Sequence, residues 1–157
     1  MFAALPPHVQ GYTILQVAVS NGSAGPYTIK PENFNYVRDS GETIEASPAR
    51  SVISMLIQKG SRSDVIKLVG TYETAFYGIS RMRSTNGYEQ RRQAALAETS
   101  TKLKAAATAS ALALVQTKLA PGESTDGAVF FPTSGKPLGA GHLEVRTNMD
   151  VFAFHQE

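Results

Sequence analysis

Two stretches that read as β-structure, residues 11–46 and 112–155, flank a block, residues 47–111, that reads as helix. Neither β stretch carries enough strand to close a hydrophobic core alone, because an isolated hairpin is marginal in water. The two must share a core, and the helical block must leave that shared structure and return to it. The order predicts a mainly β (α+β) chain forming a single domain. Its expected frame is an antiparallel β-sandwich from 11–46 plus 112–155, interrupted by a two-to-three-helix insertion.

The front stretch carries turn signals at roughly the eight-to-twelve-residue spacing of sandwich strands. Thr13, Leu15, Val17 and Val19 fall on one face, with Tyr12, Ile14, Gln16 and Ala18 on the other, as in a half-buried strand. Asn21-Gly22-Ser23-Ala24-Gly25-Pro26 ends that strand: Gly and Asn accept positive φ, and Pro cannot donate to a ladder. Extended structure resumes at 27–30, turns at Pro31-Glu32-Asn33, and continues at 34–38 and 43–46 around the turn Asp39-Ser40-Gly41-Glu42. In the rear stretch strands are expected at 112–119, 124–131, 142–147 and 151–154. Pro121-Gly122 breaks the first two apart, and Asn148-Met149-Asp150 suits a short hairpin loop.

In the middle block Ser47-Pro48 reads as an N-cap followed by proline at the first helical position. Val52, Ile53, Leu56 and Ile57 recur at helical spacing before Gly60. A second apolar face runs through Val65, Leu68, Val69, Tyr72, Phe76 and Ile79. From Tyr88 to about Ala111 the many alanines make a strong helix former, with Thr99-Ser100-Thr101 as its expected break.

The β stretches also resemble a known family. Val17-Ala18-Val19-Ser20-Asn21-Gly22-Ser23, then Pro26-Tyr27-Thr28-Ile29 and Asn33-Phe34, is similar to the front half of bacterial Ig-like domains of the DUF4352 type and related envelope proteins. Leu119-Ala120-Pro121-Gly122-Glu123-Ser124, Gly127 and Val129-Phe130-Phe131 resemble their back half. The likeness implies an immunoglobulin-like sandwich, a secreted or lipid-anchored module without catalytic residues, and an extracytoplasmic location in the periplasm or at the cell surface. Residues 47–111 have no counterpart in that pattern. The first residues show no signal-peptide character, so such a location expects a signal or anchor removed upstream of Met1.

Composition narrows the function classes. A net charge of +2 with Lys and Arg dispersed offers no basic stripe for nucleic acid. The absence of cysteine removes disulfides, thiol nucleophiles, thiolate zinc sites and iron–sulfur ligation. The uncharged, alanine-rich run of residues 105–117 is shorter than the about 20 residues a membrane helix needs. Any membrane association is expected through a partner or an upstream anchor. Neither a Gly-x-Ser-x-Gly elbow nor a phosphate or dinucleotide glycine loop occurs, and Ser134-Gly135-Lys136-Pro137 reads as a turn. No catalytic residue, metal or cofactor is expected, and the chain reads as a non-enzyme.

Three constellations were weighed against plain structural roles. His142, Glu144 and His155 sit where two strands could bring imidazole and carboxylate together for zinc, although histidines at strand ends are commonly just solvated. The acids of 39–42 and 123–126 lie near expected loop tips, without calcium-loop spacing. Arg81, Arg83, Tyr88, Arg91 and Arg92 form the densest basic patch and the candidate interaction surface for an acidic partner. The bland alternative is that these arginines lie over the sandwich and pair with Glu73, Glu89 or Glu98. The leading expectation is a non-enzymatic structural or protein-interaction module, an accessory subunit of an extracytoplasmic or membrane-associated assembly, with a protein partner or homo-oligomer. The alternative is a module binding metal, glycan or lipid at the loop ends or in the helix–sheet crevice, a reading that an apolar pocket lined with Tyr72, Phe76 or Tyr88 would favour.

Overall fold

A computed structural model describes residues 2–9, 11–58, 69, 72–73, 85–97, 111–134, 136–147 and 150–155, with 2–9, 56–58 and 95–97 described by secondary structure alone. The chain is mainly β with antiparallel sheets. Its strands are β1 (Phe2–Val9), β2 (Tyr12–Ser20), β3 (Tyr27–Ile29), β4 (Phe34–Arg38), β5 (Thr43–Glu45), β6 (Thr117–Leu119), β7 (Ser124–Pro132), β8 (Gly141–Arg146) and β9 (Val151–His155). Among the described residues, the helices α1 (Ala49–Gln58) and α2 (Tyr88–Ala97) lie between β5 and β6 in the chain.

The front and rear stretches pair with each other in each of the three sheets. β2 runs antiparallel to β7 over its whole length, from Tyr12↔Pro132 to Ser20↔Ser124. β4 pairs with β8 and β3 with β6. The result is a three-stranded sheet β1-β2-β7, a four-stranded sheet β5-β4-β8-β9 and the small pair β3-β6. Leu15, Val17, Val129 and Phe131 from the first sheet share one buried cluster with Phe34, Tyr36, Ile44, Leu143 and Val145 from the second.

The opposite face of β2 and β7 is buried as well. Ile14, Ala128 and Phe130 pack with Val52 and Met55 of α1, Tyr72, Tyr88 of α2 and residues 111–113. β2 reads as half-buried in sequence; it is buried on both faces, because Val52, Met55, Tyr72 and Tyr88 cover the face that carries Ile14. A buried polar cluster joins the two layers. Asp126 of β7, 1% exposed, accepts hydrogen bonds from the Tyr72 hydroxyl (2.5 Å) and the Tyr88 backbone N–H (3.1 Å). Arg91 donates to the carbonyls of Ala111 (2.9 Å) and Asp126 (2.8 Å).

The chain returns from the helical block by crossing β7. Ala113 bridges Ala128, and the Leu114 N–H donates to the Ala128 carbonyl at 2.9 Å. The crossing is close enough that a Cβ on Gly127 would lie 2.6 Å from Leu114 Cα. Here the expected strand 112–119 is corrected: residues 111–112 are helical and only Thr117–Leu119 forms a ladder. β1, carrying Pro6 and Pro7, was not anticipated. It occupies an edge, where missing N–H donors are tolerated, and its pairing with β2 shifts register between Leu5 and Val9.

Candidate functional site

The large exposed hydrophobics among the described residues converge on the β8–β9 hairpin. Among the described residues β9 ends its sheet and pairs with β8 alone, in the register Leu143↔Phe154 and Val145↔Phe152. Residues opposite each other in an antiparallel pair share a face. Phe152 and Phe154 therefore continue the surface on which Leu143 and Val145 are buried, yet they are 45% and 38% exposed. With Val151 at 61%, they are the large exposed hydrophobics among the described residues.

They open onto a groove of about 300 Å³ between the two sheets. Val17 and Val19 of β2 form one wall, Phe34, Leu143 and Val145 the floor, and Phe152 and Phe154 the outer side. Polar groups gather at one end: Ser20, Asn21, Ser23, Tyr27, Thr147 and Asp150. Asp150 is the single ionised side chain in this lining among the described residues.

Both polar loops are built firmly. Asn21, 5% exposed, uses every hydrogen-bonding site of its amide. Its Nδ2 donates to the carbonyls of Gly25 (2.8 Å) and Leu119 (2.9 Å), and its Oδ1 accepts from the Ser23 N–H (3.0 Å) and hydroxyl (2.6 Å). In the β8–β9 turn the Thr147 N–H donates to the Asp150 carbonyl (2.9 Å), and the Thr147 hydroxyl accepts from the Asp150 N–H (3.1 Å). The Tyr27 hydroxyl lies 2.5 Å from the same Thr147 oxygen, tying the turn to β3. The groove is thus held open by short-range hydrogen bonding at its polar end.

The candidate interaction surface fares differently. Tyr88 is 1% exposed, stacked edge-on against Tyr72 with ring centroids 5.1 Å apart, and its hydroxyl donates to Glu73 (2.7 Å). Tyr88 therefore belongs to the interior rather than to a surface, and Arg91 turns inward to the carbonyls it binds. Arg92 is half-buried, with its Nε enclosed. Arg81 and Arg83 lie outside the described residues. The crevice expected around Tyr72 and Tyr88 is filled by their own packing, and Phe76 also lies outside the described residues.

His142 and His155 do face each other across β8 and β9, with ring centroids 5.0 Å apart. Glu144 Oε2 stands 3.7 Å from His142 Nε2, but this carboxylate also accepts from Arg146. No group of three metal-ligating side chains converges among the described residues. At the turns, Glu42 pairs with Arg38 and Glu123 accepts from the Ala120 N–H. Asp126, expected near a loop tip, sits inside β7.

Phe152, Phe154 and Asp150 escaped notice because strand assignment alone does not say which strand ends a sheet. The available signal was Val151-Phe152-Ala153-Phe154, a terminal strand with apolar residues on both faces and none of the lysines that protect exposed edges. No helix among the described residues is long and apolar enough to cross a membrane. Comparison with known proteins finds no matching family model, no similar curated protein and no similar solved structure.

Proposed function

We propose that the chain is a non-enzymatic protein-interaction module with an immunoglobulin-like β-sandwich frame, an accessory subunit of an extracytoplasmic or membrane-associated bacterial assembly. The observation that carries it is the edge strand β9, whose exposed phenylalanines border an open apolar groove. Exposed apolar edges of this kind are costly, and proteins that keep them commonly use them for contact. Covering the exposed parts of Phe152 and Phe154 would contribute about 1 kcal/mol each.

The strand order supports the immunoglobulin-like frame. Taken in chain order, β1-β2-β7 occupies the places of strands A, B and E, and β5-β4-β8-β9 those of C′, C, F and G. The helical block then stands between C′ and E. The extracytoplasmic location and the kinship with domains of the DUF4352 type rest on the residue patterns of the two β stretches. A ligand-binding module is the second reading, favoured by the groove's volume, which lies at the lower end of small-molecule pockets.

Site-specific photo-cross-linking in the source cells tests the interaction reading. A benzophenone side chain in place of Val151 should trap a protein partner, whereas the same group at the exposed positions Glu45 or Ser51 should not. Equal trapping at all three positions, or none at Val151, would argue against it. A thermal-shift panel of glycans, metals and lipids serves the second reading, which fails if nothing raises the melting temperature.

A further inference from the structure

We propose that the groove receives an extended segment of a partner protein. That segment would pair with the outer edge of β9, insert apolar side chains at alternate positions and set a lysine or arginine against Asp150. This rests on the interaction reading above and specifies the chemistry of what is bound.

The backbone supplies the first reason. Among the described residues β9 bonds to β8 alone, so alternate N–H and C=O groups on its other side point away from the sheet. From Val151 to Phe154 it has no charge, proline or glycine to discourage pairing. A strand added beside it would place every second side chain next to Phe152 and Phe154, over the groove.

Charge supplies the second. Asp150 lies at the groove's polar end, exposed, with its main chain held by Thr147 and its carboxylate in no ion pair among the described residues. The nearby Arg146 is engaged by Glu144. Among the described residues, the charge lining the groove is therefore negative. It favours a basic residue in the occupant and opposes an acidic one, or an anionic lipid head.

The same charge argues against a second copy of this chain. Residues 151–157 contain no lysine or arginine. Antiparallel self-pairing about Ala153 would set Gln156 opposite Asp150.

The test is selection of a random-dodecamer phage library on the intact chain, then fluorescence anisotropy with the enriched peptides. Enriched sequences should alternate apolar residues and carry a lysine or arginine. Phe152→Ser and Phe154→Ser should each weaken binding at least about tenfold. Asp150→Asn should weaken it about fivefold, and raising salt from about 0.1 M to about 1 M should have a similar effect. Should the phenylalanine variants misfold, the Asp150→Asn and salt responses decide alone. No enrichment, acidic peptides, or binding indifferent to Asp150 would overturn the proposal. Self-association through β9 would overturn it in favour of a second copy. In each case cross-linking from position 151 shows separately whether the interaction reading survives.

Discussion

Asp126 and Gly127 are adjacent on β7 and hold the helical block in place by opposite means, one with a charge and one with the lack of a side chain. Asp126→Ala would remove the buried hydrogen bonds that the Tyr72 hydroxyl and the Tyr88 N–H donate to its carboxylate, and is expected to cost about 2 kcal/mol. Urea denaturation should show a lower midpoint with an unchanged slope. Gly127→Ala would drive a Cβ against the Leu114 backbone and should cost about 1–3 kcal/mol in the same assay. Tyr36 provides a pH probe. Burial in the core, with Asp39 adding to it, raises its phenol above the usual value of 10.0, and the hydroxyl donates to the Gly139 carbonyl at 2.6 Å. The unfolded chain therefore loses this proton first. Its contribution is complete below about pH 10 and is lost as pH rises through the higher folded value. Tyr36→Phe should flatten the alkaline limb of the stability profile; an unaltered limb would contradict the assignment.

The strands show how far sequence reasoning reaches and where it stops. β2, β4, β7, β8 and β9 lie within a residue or so of their expected places, because alternation and Pro-Gly or Asn-Gly breaks are local signals. The sidedness of β2 is tertiary information. Ile14 and Phe130 are apolar on the second face, yet only the packed helices explain why. The arginine-rich patch misleads for the same reason: Arg91 looks solvated in sequence but satisfies carbonyls at the α2–β7 contact. β9 was legible as a strand and illegible as an edge. Its phenylalanines are each more than half covered within the chain, so the double variant Phe152→Ser/Phe154→Ser should cost about 2–3 kcal/mol in chemical denaturation and still fold. A collapse of stability would show that β9 is structural and that its exposure has another origin.

Across the whole molecule, one sheet serves two cores, and its free neighbour presents a groove. Residues 47–111 do more than interrupt the frame, since they close the second face of β2 and β7. Replacing residues 48–110 by a short Gly/Ser linker should yield an aggregating chain with a poorly dispersed NMR spectrum; a soluble, dispersed variant would mean that the β frame is self-sufficient. The functional claim is narrower and concerns the edge. Amide hydrogen exchange, recorded residue by residue with and without a selected peptide, tests it most directly. Added protection should appear at alternate amides of Val151–His155 and at groove-lining positions such as Val19, while α2 remains unchanged. Protection confined to α2 or to the β5 edge, with β9 still exchanging freely, would contradict it.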